Sequence, residues 1–278
     1  MAISLLNNIA ALEAQNQLDV TQNNLQSTLF QLSSGSRINS GADDAAGLAI
    51  ANGLQANITA LNQSANNAND GVGALQVADG ALSQVTNLLN RSVTLATEAA
   101  TGTVSSSQRG ALDAEFTQIK AEIDQIGSTT SFNGTSVFTA STTSIFLSDS
   151  NSQSSIGVTV GTISSTAITN GASTVDLGAD DLTTASNAAT ALTDINQAIA
   201  NVAGIRGGIG AGINRLNASV NVINNQVQNL TSAENQITAA NIPQQVTNLS
   251  EYTILNQSGI SALAQANSAQ QSILKLLQ

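Results

Sequence analysis

Residues 192–237 read LTDINQAIANVAGIRGGIGAGINRLNASVNVINNQVQNLTSAENQI, and one periodicity runs through all of them. Leu192, Ile195, Ile199, Val202, Arg206, Ile209, Ile213, Leu216, Val220, Ile223, Val227, Leu230, Glu234 and Ile237 follow one another at alternating steps of three and four. All are branched aliphatics except Arg206 and Glu234. Steps of three and four sum to seven, which keeps the stripe on one side of an α-helix and favours left-handed supercoiling. At 1.5 Å per residue such a helix is roughly 70 Å long. It cannot bury its stripe alone, so the rest of the chain is expected to supply partner helices.

A first partner lies between 51 and 100. Leu54, Ile58, Leu61, Ala65, Ala68, Val72, Leu75, Asp79, Leu82, Thr86, Leu89, Val93, Ala96 and Ala100 repeat the same steps, with alanines that permit close approach. Asp43 and Asp44 stand before it, where carboxylates favour the positive end of a helix dipole. After the break at Thr101-Gly102-Thr103, Ser105 and Gln108 have capping-box spacing. Leu112, Phe116, Ile119, Ile123 and Ile126 form a third, shorter stripe, which Gly127 is expected to end.

The pattern changes over 128–181. Phe132-Asn133-Gly134-Thr135 carries the Asn-Gly pair of a type I′ hairpin. Short β-branched runs follow at 145–147 and 156–160, and the segment reads as a small, solvent-facing β excursion. Both ends of the chain are amphipathic. Residues 1–32 place Leu5, Ile9 and Leu12, then Leu18, Leu25 and Leu32 at intervals of seven. After Pro243, at a position where a missing N–H costs nothing, residues Val246, Leu249, Thr253, Asn256, Ile260, Leu263, Asn267, Gln270, Leu274 and Leu277 make the counterpart stripe. Between them, 1–40 and 238–278 hold only Glu13, Asp19, Arg37, Glu251 and Lys275 as charges. Polar faces of Asn, Gln, Ser and Thr are cheaper to bury than charged ones, so these helices suit packing in many copies. The expected seam of such packing is Leu18, Leu25 and Leu32 with Val246, Leu249, Ile260, Leu263, Leu274 and Leu277.

The fold class read from these stripes is mainly α, a long coiled-coil bundle traversed out and back. Residues 1–40 with 238–278 form a terminal coiled-coil domain, 41–127 with 182–237 a helical bundle, and 128–181 a short β-rich, exposed segment. Composition agrees with an extended helical assembly rather than a compact enzyme. Charged residues are 9% of the 278 and aromatics 2%, against a usual charged share of about 25%. The net charge of −11 argues against nucleic-acid binding and offers no basic patch to anionic lipid. There is no Cys and no His, hence no disulfide framework, no thiolate metal site and no histidine base. No run of 18 apolar residues is present, which argues against a spanning helix. Met1-Ala2-Ile3-Ser4 is not the basic start of a cleavable signal peptide, and export by another route is expected.

Two features that could suggest chemistry have plainer readings. Gly204, Gly207, Gly208, Gly210 and Gly212 follow no predicted strand and match no nucleotide-loop spacing; the helical stripe passes through them at Ile209 and Ile213. Asp43-Asp44 and Asp180-Asp181 are adjacent pairs that do not face one another on a helix. No catalytic residue, metal or cofactor is expected, and the chain reads as no enzyme.

The stretch from Leu32 to Ile50, LSSGSRINSGADDAAGLAI, resembles the N-terminal signature of the bacterial flagellins. Ala68-Asn69-Asp70-Gly71, Phe132-Asn133-Gly134, Gly210-Ala211 with Asn214-Arg215-Leu216, and Ser261-Ala262-Leu263-Ala264-Gln265-Ala266-Asn267 are similar to further motifs of that family, in the same order. The resemblance spans about 1–140 and 183–278. It implies a structural subunit of the extracellular filament, with the terminal helices as inner wall and the bundle as outer wall. It also implies passage unfolded through the flagellar export apparatus, with an export chaperone and a filament cap as partners. The very short central insert departs from the family pattern. A hook–filament junction protein and a non-polymeric coiled-coil adaptor are the competing readings.

A second set of residues, Leu88, Arg91 and Leu95, lies off the Leu89–Val93–Ala96 line and is expected to be an exposed subunit contact. By the same resemblance, Arg91, Leu95 and Glu115 match positions bound by the vertebrate innate immune receptor for flagellin. Val93 and Thr94 stand where receptor-binding members carry charges, which implies weak signalling.

Overall fold

The computed structural model describes residues 8–148, 154–171 and 173–276. Five helices carry the fold: α1 (Ile9–Ser34), α2 (Ala45–Ala100), α3 (Ser106–Thr129), α4 (Ala185–Thr238) and α5 (Ile242–Leu276). Between α3 and α4 lie three antiparallel strand pairs. They are β1 (Ser131–Phe132) with β2 (Thr135–Ser136), β3 (Thr143–Phe146) with β4 (Ser155–Val158), and β5 (Ile168–Asn170) with β6 (Ser173–Val175). The fold is mainly helical, as the stripes require.

The chain divides into two compact units, Met1–Ala56 with Asn229–Gln278, and Asn57–Gln228. The divisions fall inside α2 and α4, whereas the sequence reading put them at the turns near 40 and 238. The three–four periodicity is unbroken through both helices, so it carries no mark where the packing partner changes. Residues 128–181 belong wholly to the second unit.

In the second unit every stripe residue of α4 from Leu192 to Val227 is buried or half-buried. Its charged interruption has a partner. Arg206 Nε donates to Asp79 Oδ1 at 2.8 Å and its Nη2 to Oδ2 at 3.2 Å, so the breaks in the two long stripes meet each other. The other interruption, Glu234 in the first unit, accepts from the Gln55 amide at 3.0 and 3.2 Å. Helix α3 begins with the expected capping box at Ser105 and Gln108. It does not end at Gly127. That residue sits in the last turns because a Cβ there would strike the carbonyl oxygen of Ile163, and the helix continues to Thr129. The Asn-Gly hairpin is present, with Asn133 at φ 49° and Gly134 at φ 77°, the two positive values that a type I′ turn needs.

The β segment is less exposed than its loops suggested. Ile156, Val158, Val160, Ile163, Ile168, Val175, Leu177 and Leu182 are buried. Polar side chains of the helices pin it down. Asp124 accepts from the Ser165 N–H and Oγ, Asp113 from the Leu182 N–H, and Lys120 donates to the carbonyl of Asp180 at 2.7 Å. Asn201, buried on α4, donates to the carbonyls of Ile168 and Ser173 and so holds the β5–β6 hairpin. Alternation alone could not show this, because the anchoring groups lie on distant helices.

Candidate functional site

In the first unit α1 packs along α5. The side of α1 turned inward is Ala11, Ala14, Leu18, Thr21, Leu25, Thr28 and Leu32, again at steps of three and four. Thr21 and Thr28 are the most buried of these. Their hydroxyls donate to the carbonyls of Gln17 and Asn24 on the same helix, both at 2.8 Å. The seam thus accepts polar side chains without needing a cross-helix partner.

On α5 the inward line is Leu249, Tyr252, Asn256, Gly259, Leu263 and Ala266. Within the chain the expected seam residues divide into two groups. Leu18, Leu25, Leu32, Leu249 and Leu263 are half-buried, but Val246 and Ile260 are exposed. A line through 249, 256 and 263 can be completed on either side, by 246, 253 and 260 or by 252, 259 and 266. Leu18 selects the second, because its Cδ1 stands 3.2 Å from where a Gly259 Cβ would lie. A Cβ there would press on that knob. The Leu274 side chain and Leu277 lie outside the described residues.

The pair leaves much apolar surface uncovered. Ile9, Leu12, Val20, Leu29 and Phe30 of α1 are exposed, as are Ile242, Val246, Ile254, Leu255 and Ile260 of α5. The turn between α1 and α2, read in the sequence as a linker, is a closed joint. Arg37 N–H donates to the Thr238 carbonyl at 2.6 Å and Arg37 Nη2 to that of Ile237 at 2.9 Å. A cation thereby sits on the negative end of α4. The Ala240 N–H returns a bond to the Gly35 carbonyl. Asp43 accepts from the Asn39 and Ser40 N–H groups, which holds its carboxyl below the usual range, and Asp44 caps the Gly47 N–H at the start of α2. The sequence signals for this joint were Arg37 and the Asp43-Asp44 pair.

In the second unit the structure joins Arg91 to Glu115. Arg91 Nε and Nη2 donate to the two carboxylate oxygens at 2.7 and 3.0 Å. That fork lowers the pKa of Glu115 and raises that of Arg91. Both side chains are about half exposed. Leu88 and Leu95 do not flank them as an exposed pair. Leu88 is half-buried and Leu95 is 1% exposed. The reason is that α2 has partners on two sides: α4 through Asp79, and α3 through Arg91. Arg109 of the α3 helix also donates to the Ala99 and Thr101 carbonyls that end α2. A helix packed on two sides buries a second line, and Val85, Ser92, Leu95 and Ala99 form it.

No group of three or more potential metal ligands occurs among the described residues. No described helix is long and apolar enough to cross a membrane. The glycines from 204 to 212 lie within α4.

Residues 5–143 match the bacterial flagellin N-terminal helical region, and residues 192–277 match the bacterial flagellin C-terminal helical region. The chain belongs to the bacterial flagellins. It is 35% identical to a flagellin of Xenorhabdus nematophila, with all of both chains covered. It is 33% identical to a flagellin of Halalkalibacterium halodurans, over 97% of this chain and 98% of that one. A crystal structure of Bacillus cereus flagellin aligns at 30% identity with a TM-score of 0.48, covering 61% of this chain and 94% of that one. As a flagellin, the chain is a structural subunit of the flagellar filament, which is extracellular.

Proposed function

We propose that this flagellin polymerises chiefly through its terminal helices, with the α1–α5 pair as the element each copy presents to its neighbours. The exposed apolar residues on the outer faces of α1 and α5 carry this reading. Phe30 is 63% exposed and Ile254 66%, and large apolar groups left in water are a cost that association removes. The half-buried residues Leu18, Leu25, Leu32, Leu249 and Leu263 set the pair, while Val246 and Ile260 face outward to a neighbour.

The Arg91–Glu115 fork serves as a second subunit contact, with half-buried Leu88 beside it on α2 and Leu95 beneath as support. By family likeness, an innate immune receptor would meet this surface on the monomer through Arg91 and Glu115. The protein acts without catalysis or cofactor. It leaves the cell through the flagellar export apparatus, escorted by an export chaperone and assembled under a cap. Negative-stain microscopy of purified protein after salting-out and warming tests the polymer reading. Long tubes are expected; discrete oligomers alone would overturn it.

A further inference from the structure

Asn-Gly occurs three times in the chain, at Asn52-Gly53, Asn133-Gly134 and Asn170-Gly171. The pair has a chemistry of its own. Glycine offers a backbone nitrogen with no side chain in front of it, and the asparagine amide carbon comes within reach once the backbone turns toward it. What the fold does to each pair therefore decides which of them reacts.

Asn52 and Gly53 lie inside α2, where the glycine N–H belongs to the helical ladder and the backbone is held in helical geometry. Asn170 ends β5 and is paired with Ser173. Its side-chain amide lies against Gly204 of α4, where a Cβ would strike it. Asn201 also binds the carbonyls of Ile168 and Ser173, one on each strand of that hairpin. Asn133 differs on each count. The ladder of β1 and β2 ends at the Phe132–Thr135 pair, which leaves Asn133 and Gly134 outside it as the turn tip. Both are exposed, and nothing comes within 4 Å of a Cβ at Gly134. Among the described residues no hydrogen bond holds the Asn133 side chain. Each strand has two residues, and so short a pair opens at little cost in free energy.

We propose that Asn133 is a self-modification site, converted to aspartate and isoaspartate with the Gly134 nitrogen as nucleophile. That nitrogen attacks Asn133 Cγ, and the new N–C bond closes a five-membered succinimide. The Gly134 N–H proton goes to the side-chain nitrogen, which departs as ammonia. Water then opens the ring. Cleavage at Cγ gives aspartate; cleavage at the backbone carbonyl gives isoaspartate, whose main chain runs through Cβ and Cγ. No oxidant or reductant takes part. Either product adds one negative charge to a chain of net charge −11, in a cleft that Asp70 also lines. Isoaspartate further lengthens the turn by a methylene. The short ladder then loses its register, and Phe132 its seat 3.4 Å from the position of a Gly73 Cβ.

Ageing the full-length protein in mildly alkaline buffer tests it. Brief digestion at low pH, which stops further reaction, releases peptides holding each Asn-Gly pair. Each conversion adds one mass unit, and the aspartate and isoaspartate peptides separate by retention. Asn133 is expected to convert about tenfold faster than Asn52 or Asn170 in the folded chain, with the three rates converging in denaturant. Gly134→Ala puts a methyl in front of the nitrogen and should slow Asn133 several-fold while the other two pairs keep their rates. Equal rates for the three pairs in the folded protein overturn the proposal, as does a Gly134→Ala variant that converts at the unaltered rate. If the same order of rates persists in denaturant, flanking sequence rather than the fold sets it, and the proposal fails.

Discussion

Leu95 and Asp180 show how much a single side chain's surroundings decide. Leu95 is enclosed, so Leu95→Ala removes packed atoms and leaves a cavity. A loss of about 2–4 kcal/mol of stability is expected, read as a lower denaturation midpoint of the second unit. A variant with unchanged stability would mean that Leu95 is free surface. Asp180 is the reverse case. Its Oδ2 is buried without a hydrogen-bond partner, and desolvation, with Asp194 nearby, pushes its carboxyl above the ordinary range despite Lys120. A carboxylate with a raised folded pKa opposes folding once ionised, and the penalty fades as pH falls through that pKa. Asp180→Asn should therefore raise the melting temperature at pH 7 by about 1–3 °C, with the gain shrinking in acid. Asp79 has the opposite sign. The Arg206 hydrogen bond depresses its pKa, so its contribution is present above the usual carboxylate range and lost as pH drops below 3.8.

At the scale of elements, the two helix systems are built from different material. Helices α2, α3 and α4 bury Leu82, Leu89, Phe116, Ile123, Ile195, Ile209 and Leu216 completely. The α1–α5 seam is made of Ala, Thr, Gly, Asn and partly exposed Leu, and buries no large side chain fully. Its opening free energy is correspondingly small. Hydrogen exchange on dilute monomer should find α1 and α5 amides exchanging at least 100-fold faster than those in the cores of α2 and α4. Equal protection would show that the seam is stable before assembly. A second element test is Gly127→Ala. The added methyl meets the Ile163 backbone, so α3 and the β segment must separate, with loss of several kcal/mol.

For the whole molecule, the proposed filament contacts lie apart from the buried core of the second unit. Leu263→Asp places a carboxylate in the α1–α5 seam, at a cost of several kcal/mol if it stays there unpaired. The expected result is a monomer whose second unit melts normally and which forms no tubes. Normal filaments would mean that α5 is not an internal seam of the polymer. The Arg91–Glu115 fork is exposed and already satisfied within the chain, so Arg91→Ala should raise the critical concentration only a few-fold. An unchanged critical concentration would remove it as a contact.

The sequence by itself determined the helices, their stripes and the hairpin turn. Steps of three and four, the Ser105–Gln108 box and the Asn133-Gly134 pair are local, and neighbours in the chain suffice to express them. It also determined that Arg206 and Glu234 are the two breaks in the aliphatic stripe of α4. Only the tertiary structure decided which side of α5 faces α1, because the stripe allowed two and the choice rests on Leu18 fitting over Gly259. It likewise decided that Leu95 is core, since burial of a second line on α2 depends on α3 arriving on that side. The folding-down of 128–181 was illegible for the same reason. Lys120, Asp124 and Asn201 hold that segment from helices up to 60 residues away, and periodicity records a chain's local spacing but not which distant group meets it.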